Sequence, residues 1–259
     1  MRKLSLMLII AYTFCFETGF ELAEKIDQRN KPNDIISNNK MILTDSENRE
    51  KILELTSKSM NDSKLQMIWF LKPADDRGIA FIKIEKEKEE DFMSMWLPKY
   101  KRFRRISSSK KTDAFMGSDL SFEDLTNRSL DPLDYKYELL NSNINCTYNS
   151  KEYQGKCYEL KSIPQDKNSE YQYHLTIVLN IKDDVYVSII ENSYDKKGKL
   201  LKEKEIIYNN DNPDYYIMNE LYVRNVQDNH TTKLEVSKID LNNGFTGNDF
   251  QERFLKRLP

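Results

Sequence analysis

The sequence predicts a mainly β protein in which one antiparallel meander curls into a barrel or half-barrel. Residues 171–182 alternate between large apolar and mostly polar side chains, which is the period of a half-buried strand. Similar runs recur along the chain and are separated by short turn-forming segments. The length of 259 residues is compatible with one all-β domain. We therefore expect a single β domain with few helices.

One short helix comes before the strands. Residues 21–28 place Leu22 and Ile26 on one helical face, and the polar segment 29–33 ends this pattern. From there on, period two dominates, and successive runs are joined by turns that suit antiparallel pairing. The predicted strands cover residues 64–71, 78–86, 137–148, 153–163, 171–182, 185–194, 199–208, 215–226 and 231–239.

Three segments between the strands are expected to be irregular or only locally helical. The charged run 86–91 is typical of a solvated hairpin tip, and 115–119 places large side chains next to a glycine. Ser121 can act as a helix cap with Asp124 three residues later, which predicts a single helical turn over 121–125.

The composition excludes several classes of protein. The chain has 40 Lys+Arg and 42 Asp+Glu, so its net charge of -2 lacks the basic excess of a nucleic-acid-binding protein. Hydrophobic residues make up 39%, too many for a disordered chain. None of the 7 Gly forms a phosphate-binding motif, and His174 and His230 lack partners at metal-ligand spacing, so both are interpreted as surface residues. We expect no metal, no cofactor and no enzymatic activity.

The N-terminal segment 1–19 is interpreted as a signal peptide or an N-terminal anchor. A basic start is followed by a mostly apolar run over residues 4–16, which is too short to span a bilayer comfortably. Three outcomes stay open: cleavage between residues 19 and 23, lipidation at Cys15, or an uncleaved anchor. The remaining residues 20–259 form the predicted domain, which we expect in the periplasm.

Two cysteines lie in the predicted hairpin 137–163. Cys146 and Cys157 flank a turn expected near residues 151–152, so the hairpin can place them opposite each other. A cross-strand disulfide and two free buried thiols are both compatible with this pattern. A nucleophilic cysteine is not expected, because no histidine lies nearby.

A basic cluster comes before an acidic segment in the middle of the chain. The cluster can contact phospholipid head groups or an acidic partner, or it can simply be solvated. The acidic side chains can pair with the arginines and hold their loop against the barrel. A hydrolase that uses Asp119 or Asp124 is an alternative from another functional class. The basic residues are Lys99, Lys101, Arg102, Arg104, Arg105, Lys110 and Lys111, and the acidic ones are Asp113, Asp119, Glu123 and Asp124.

Several blocks of the sequence resemble the outer-membrane lipoprotein-sorting family related to LolA. The most specific is the run Phe-Met-Gly-Ser-Asp at 115–119 with Glu-Asp-Leu at 123–125. The blocks follow the order and spacing of the family, and they cover nearly the whole chain after the N-terminal segment. They comprise residues 72–81, 95–102, 104–107 and 113–125, with further similar pieces at 155–158, 194–202 and 250–258.

This resemblance implies an unclosed antiparallel β-barrel, LolA-like or LolB-like, with a few short helices covering its concave face. It also implies a carrier that moves lipid or lipoprotein acyl chains across the periplasm toward the outer membrane. The implied partners are an inner-membrane export complex of the resistance-nodulation or ABC type and an outer-membrane acceptor. The family motif corresponds to Arg104, Arg105, Gly117, Ser118, Asp119, Glu123 and Asp124, and the resemblance implies no catalytic role for any of them.

Large apolar side chains in the family blocks are candidates for the lining of a hydrophobic cavity. The candidates are Trp69, Phe70, Phe81, Trp96, Phe115 and Met116. Each of them can equally be an ordinary core residue, because alternation alone does not say which face of a strand points inward. The alternative to a carrier is therefore a membrane-anchored structural or interaction lipoprotein in which the same barrel has a filled core.

Overall fold

The computed structural model describes residues 18–86, 90–126, 132–209 and 214–259. The predicted N-terminal segment 1–19, including Cys15, lies almost entirely outside these residues, as does part of the hairpin tip at 86–91. The strands of the described chain are β1 (Asp34–Thr44), β2 (Glu50–Met60), β3 (Leu65–Lys72), β4 (Ala80–Ile84), β5 (Phe92–Leu97), β6 (Arg102–Ile106), β7 (Tyr135–Tyr148), β8 (Lys151–Pro164), β9 (Tyr171–Lys182), β10 (Val185–Asp195), β11 (Leu200–Asn209), β12 (Ile217–Asn225) and β13 (His230–Leu241).

The described helices are few and short. The α-helices are α1 (Gly19–Asp27) and α2 (Phe122–Thr126), and the 3-10 helices are Pro98–Tyr100, Ser108–Lys110, Pro132–Asp134, Gly247–Asp249 and Glu252–Lys256. Within the described ranges, none of these helices has the length and apolar character needed to cross a bilayer.

All thirteen described strands belong to one antiparallel sheet in the order β6-β5-β4-β3-β2-β1-β13-β12-β11-β10-β9-β8-β7. Eleven of the twelve pairings join strands that are consecutive in the sequence, and the twelfth joins β1 to β13. β6 and β7 form the two edges and do not pair with each other. The sheet is therefore an unclosed barrel, which confirms the predicted fold class.

The sheet has an inner face, which carries Met41, Leu53 and Phe70, and an outer face, which carries Met67 and Trp69. Buried side chains of β5 belong to the same inner cluster as those of β12, although five strands lie between β5 and β12 in the sheet. The sheet curls enough for its two halves to share one core. This curl creates an enclosed inner space in which a site can lie.

Helix α1 covers part of the inner face. Thr18 caps the helix through a reciprocal capping box with Glu21, which satisfies two otherwise free backbone N–H groups. Leu22 and Ile26 pack with Ala23 against inner-face side chains such as Tyr158 of β8. The predicted helix over 21–28 is present and begins two residues earlier.

A second segment that covers the inner face runs from β6 to α2. The Phe115 ring lies 5.8 Å from the Phe70 ring and 5.5 Å from the Phe81 ring, and Phe122 joins the same cluster. Ser121 Oγ accepts a hydrogen bond from Asp124 N at 3.1 Å, while Asp124 Oδ2 accepts one from Ser121 N at 2.9 Å. The predicted cap at the start of α2 is therefore present.

The C-terminal segment 245–257 covers the outer face of β3–β5. Phe250 and Leu255 are buried against Met67 and Trp69. Thr246 and Asp249 form a capping box at the first turn of this segment. Trp96 packs with the same outer cluster. This packing closes the outer face of the short strands and leaves the inner face as the place for a site.

Cys146 and Cys157 form a disulfide within the β7–β8 hairpin, with their Cα atoms 6.0 Å apart. The turn lies at Asn149 and Ser150, earlier than predicted, and the register places Cys157 opposite Ile144. Irregularities in the pairing shift the two strands enough to bring the sulfur atoms together.

Candidate functional site

A cavity of about 290 Å³ lies on the inner face of the sheet. It is bounded by β1–β3 on one side, by β10–β13 on the other, and by the segment 115–125 and the end of α1. The volume is at the lower limit of about 300 Å³ that is common for small-molecule sites. The cavity reaches solvent next to the segment 27–34, where the lining residues Asn30 and Asn33 are exposed.

The inner end of the cavity is apolar. Its side chains come from alternate positions of the strands, together with residues of the segment 115–125. Most of them belong to the largest buried hydrophobic cluster or pack against it. The apolar lining consists of Met41, Leu55, Ile68, Phe115, Leu120, Leu125, Ile206, Met218, Leu221, Leu234 and Val236.

Closer to the opening, the inner faces of β1–β3 carry uncharged polar side chains. We call these faces the neutral wall, made of Ser37, Asn39, Ser57, Ser59 and Gln66. Asn39 Nδ2 donates a hydrogen bond to Ser57 Oγ at 2.9 Å, and the hydroxyl groups of Ser37 and Ser57 lie 2.9 Å apart. The lining therefore changes from polar to apolar along the strands with increasing depth.

The opposite side of the cavity contains buried charges. We call it the ionic wall, made of Asp124 of α2, Glu191 of β10, and Lys202 and Lys204 of β11; all except Lys202 line the cavity. Lys204 Nζ lies 2.7 Å from Asp124 Oδ1 and 2.8 Å from Glu191 Oε1. Lys202 Nζ lies 2.9 Å from Asp124 Oδ2. The Tyr171 hydroxyl also donates to Asp124 at 2.9 Å.

The pKa shifts in the ionic wall follow from this pairing. Burial by itself would raise the pKa of the Asp124 carboxyl, but Lys202 and Lys204 hold the pKa well below its usual value. Burial would likewise lower the pKa of Lys204, whereas the carboxylates of Asp124 and Glu191 raise it. Asp124, Glu191 and Lys204 therefore remain charged and paired at neutral pH.

His174 lies beside the ionic wall, which corrects its interpretation as a surface residue. Its ring is buried, and Nδ1 lies 2.9 Å from Ser193 Oγ and 3.6 Å from Glu191 Oε1. Burial lowers the pKa of His174, and the Glu191 carboxylate opposes this shift. The face of β9 that carries polar residues points inward, because the interior of this half of the barrel is itself polar. Within the described residues, no group of three or more His, Cys, Asp and Glu is arranged to hold a metal ion.

The six predicted lining residues separate into two groups. Phe115 lines the cavity, while Phe70 and Phe81 are fully buried around it in the same cluster, and Met116 packs against that cluster. Trp69 and Trp96 lie on the outer face under the C-terminal segment. This placement corrects the grouping of the two tryptophans with the lining. Since Trp69 precedes Phe70 in β3, alternation necessarily puts the two rings on opposite faces.

The arginines of the family motif lie on the edge strand β6, away from the cavity. Both side chains are exposed, and the Arg105 guanidinium stacks 4.0 Å from the centre of the Phe92 ring. Arg104 is opposite Met95 in the β5–β6 pair, so it faces the inner side of this edge. The two arginines do not form the predicted ion pairs with the acidic residues of the motif.

The remaining motif residues shape the segment 115–125 and join it to the sheet. Gly117 has a φ of 80°, a conformation that favours glycine. Ser118 Oγ donates to the Phe115 carbonyl at 2.7 Å. Asp119 Oδ2 accepts from Thr232 Oγ1 at 2.7 Å and lies 2.7 Å from His230 Nδ1. These contacts hold the loop on β13.

The two acidic residues of α2 are both buried. Glu123 Oε2 accepts a hydrogen bond from Glu170 N at 2.9 Å, and burial raises the pKa of this carboxyl. Asp124 pairs with Lys202 and Lys204, as described above. The lysines of β11, and not the arginines of β6, are therefore the partners of this motif.

The neutral wall was missed by the sequence analysis, although the sequence holds a signal for it. Positions 37, 39, 41 and 43 read Ser, Asn, Met, Leu, and positions 53, 55, 57 and 59 read Leu, Leu, Ser, Ser. The inner face of β1 changes from polar to apolar along the chain, and that of β2 changes from apolar to polar. This reversal is expected for two antiparallel strands that share one end near water. Because half of each inner face is polar, neither β1 nor β2 was among the predicted strands.

The fold and its inner cavity define the class of unclosed-barrel proteins to which the LolA superfamily belongs. The chain is similar to a structure described as an outer membrane lipoprotein-sorting protein domain from Vibrio parahaemolyticus. That match has 28% identity and a TM-score of 0.81, and it covers 92% of this chain and 98% of the other.

Two further solved structures share the fold. A DUF1329 family protein from Desulfovibrio piger matches with 24% identity, a TM-score of 0.78 and coverage of 92% and 97%. A LolA superfamily protein from Nitrosomonas europaea matches with 16% identity, a TM-score of 0.70 and coverage of 92% and 99%. These two neighbours confirm the fold, and the Vibrio structure confirms the resemblance that the sequence blocks indicate.

The chain belongs to the family whose model is described as "Uncharacterized protein" and matches residues 62–257. This range contains all strands from β3 to β13 and the whole of the segment 115–125. No curated protein sequence matches the chain.

Proposed function

We propose that this protein is a non-enzymatic carrier that binds acyl chains of a lipid or lipoprotein in its inner cavity and moves them toward the outer membrane. The observation that supports the proposal is an apolar space inside the barrel, bounded by Met41, Leu55, Ile68 and Leu234, that opens to solvent. A structural lipoprotein with a filled core would not need this space. The similar Vibrio structure is described as a lipoprotein-sorting domain, and this description is consistent with the proposal.

The energetics favour such a carrier. Each methylene group that leaves water gains about 0.8 kcal/mol, so a long acyl chain costs on the order of 10 kcal/mol to expose. Unaided transfer between two membranes would therefore be slow. A cavity at the lower end of the usual size range shelters part of a chain, and an opening at the rim lets the chain leave without unfolding the sheet.

The proposed setting is the periplasm, with the segment 1–19 as a signal peptide or N-terminal anchor. An inner-membrane export complex of the resistance-nodulation or ABC type would deliver the cargo, and an outer-membrane acceptor would receive it. Arg104 and Arg105 on the edge strand β6 are exposed and form no ion pair with the carboxylates of the motif. They are therefore candidates for contact with such a partner.

The proposal is tested by filling the cavity. The wild-type protein, delipidated and then incubated with a bacterial membrane extract, should recover acyl lipid that mass spectrometry detects. Met41→Trp places a large ring in the cavity and should abolish recovery. Ile52→Trp adds the same bulk on the neighbouring strand, at an exposed position of the outer face, and should retain recovery.

The two outcomes are clear. Recovery by the wild type and by Ile52→Trp, with loss in Met41→Trp, supports a carrier that uses this cavity. A wild-type protein that stays empty, or a folded Met41→Trp variant that recovers lipid as well as the wild type, contradicts the proposal. Circular dichroism of all three proteins establishes that the sheet is intact.

A further inference from the structure

Two residues that line the cavity each carry a buried polar atom that has no hydrogen-bond partner in the described part of the chain. The atoms are Gln66 Oε1 on the neutral wall and Ser188 Oγ on β10, across the cavity. Gln66 is 2% exposed and Ser188 is 8% exposed, so neither side chain is open to bulk solvent. Buried polar side chains are ordinarily paired, and leaving one unpaired destabilises the folded protein. Both atoms therefore point to a polar group that enters the cavity with a ligand.

The chemistry of these atoms restricts that polar group. The carbonyl oxygen of Gln66 accepts hydrogen bonds and does not donate, so its partner must carry a donor. The Ser188 hydroxyl can donate or accept. A ligand hydroxyl can pair with either atom, whereas an ester or a carboxylate offers no donor to Gln66.

The charges around the cavity argue for an uncharged group. The neutral wall, which contains Gln66, has no ionic side chain. Each ionic residue of the lining already has a partner in the described structure: Lys31 with Asp27 and Asp62, Arg29 with the Tyr208 ring, Asp34 with residues 243–245, and Lys204 with Asp124 and Glu191. Arg29, in the segment beside the opening, contacts a ring and forms no ion pair among the described residues, whereas a charged headgroup beside Gln66 would lose its hydration there without an unpaired counter-ion.

The depth of these atoms sets the orientation of the ligand. Along β3, Gln66 lies nearer the opening, and Ile68 and then Phe70 follow toward the apolar end. A chain that enters tail first would place its hydrocarbon against Ile68 and Phe115 and its head beside Gln66. The cavity volume of about 290 Å³ suits one chain better than two.

We infer that the cavity selects a neutral, single-chain amphiphile that binds tail first, with a headgroup hydroxyl that donates to Gln66 Oε1 and a second polar contact at Ser188 Oγ. This inference rests on the proposed function as an acyl carrier and adds the class of headgroup that the cavity accepts.

Three probes with the same sixteen-carbon chain test the headgroup. They are 1-monopalmitoylglycerol, methyl palmitate and palmitic acid, and each is titrated into the delipidated wild-type protein at neutral pH. The monoglyceride should bind about three- to tenfold more tightly than the methyl ester, because one net hydrogen bond contributes roughly that factor. The carboxylate of palmitic acid should make it weaker than the monoglyceride as well.

Variants identify the atoms responsible. Gln66→Leu and Ser188→Ala should each lower the affinity for the monoglyceride about three- to tenfold and leave that for methyl palmitate unchanged. Ser94→Ala is the matched control, because it removes a buried hydroxyl from the other face of the sheet, opposite Ile82. This control should bind all probes like the wild type. If Gln66→Leu does not fold, the Ser188→Ala variant still tests whether the cavity recognises the headgroup.

The possible failures are distinguishable. If the wild type binds none of the three probes, the proposed function falls and this inference falls with it. If all three probes bind equally well and neither variant changes the order, the carrier proposal stands and the headgroup inference is overturned. If palmitic acid binds most tightly, the cavity selects an anionic head and the inference is again overturned.

Discussion

The two walls of the cavity differ in how their buried polar groups find hydrogen-bond or ion-pair partners. On the ionic wall, four charged side chains are buried together, and every charge finds its partner within the protein. On the neutral wall, hydroxyl and amide groups bond partly to one another, and Gln66 keeps an unpaired acceptor. Both walls are built from alternate positions of adjacent strands, so the difference lies in the side chains and not in the backbone.

This difference indicates different roles. Asp124 belongs to α2, whereas Lys202 and Lys204 belong to β11, so the ionic contacts hold the segment 115–125 inside the barrel. Because these charged groups are already paired with one another, they leave no unpaired charge for a ligand to bind. The neutral wall has a free acceptor and is therefore the side where a ligand can be recognised. We thus assign stability chiefly to the ionic wall and recognition to the neutral wall.

The largest expected effect comes from removing the centre of the ionic wall. Asp124→Ala leaves two buried lysines without their shared partner and should lower the free energy of unfolding by about 3–5 kcal/mol. Urea denaturation followed by circular dichroism measures this change. Asp113→Ala, two residues before the segment 115–125, removes a solvent-exposed pair with Lys110 and should cost under about 1 kcal/mol. Equal losses in the two variants would show that the buried pairs do not hold the segment.

The disulfide lies outside both walls, so its removal should change the stability of the protein without changing ligand binding. Replacing Cys146 and Cys157 together by serine should lower the free energy of unfolding by about 2–4 kcal/mol, because an 11-residue separation is no longer closed in the unfolded chain. Binding of 1-monopalmitoylglycerol should not change, since neither cysteine lines the cavity. A loss of binding in a folded double variant would mean that the β7–β8 hairpin also shapes the site.

The ionic wall should also make stability depend on pH. The pKa of Asp124 is lower in the folded protein than its ordinary value of 3.8, so the folded state binds fewer protons than the unfolded state in acid. The contribution of Asp124 is complete above about pH 4 to 5 and is lost as the pH falls through the lower, folded-state pKa. The difference in urea midpoint between the wild type and Asp124→Asn should therefore shrink from pH 7 to pH 3. A constant difference would contradict the pairing.

The smallest expected effect lies on the neutral wall. Ser57→Ala removes the acceptor of the Asn39 amide and should lower the free energy of unfolding by about 0.5–1.5 kcal/mol. No carboxylate or lysine takes part in this contact, so the loss should be the same at pH 7 and at pH 4. Thermal unfolding at both values tests this expectation, and a strongly pH-dependent loss would link the two walls.

Much of the fold could be predicted because its signals are local. The capping of α1 and α2, the irregular segment at 115–119 and the hairpins from β7 to β11 all follow from neighbouring residues. β1 and β2 were missed because their inner faces are polar for half their length. A search for mirrored polar-to-apolar gradients in adjacent runs would have found both strands and the neutral wall together.

The site was predicted less completely than the fold. Phe115 lies in the cavity lining and Phe70 and Phe81 surround it, but Trp69 and Trp96 lie on the outer face. The acidic residues of the motif were expected to pair with nearby arginines, whereas Asp124 pairs with a lysine 78 residues away. Pairing across such a distance depends on strand order, which the local sequence does not contain.

By itself, the sequence determined that the chain forms antiparallel strands, where several of the turns fall and which segment carries the family motif, because alternation, turn residues and caps act between near neighbours. Only the tertiary structure decided which face of each strand is inside, how Asp124 meets Lys202 and Lys204, and where an open space remains. The physical reason is that alternation gives each strand two different faces but does not determine which of them points into the barrel. The β1–β13 pairing and the curl of the sheet then choose one face as the interior, and the side chains present there decide whether that interior is filled or left open.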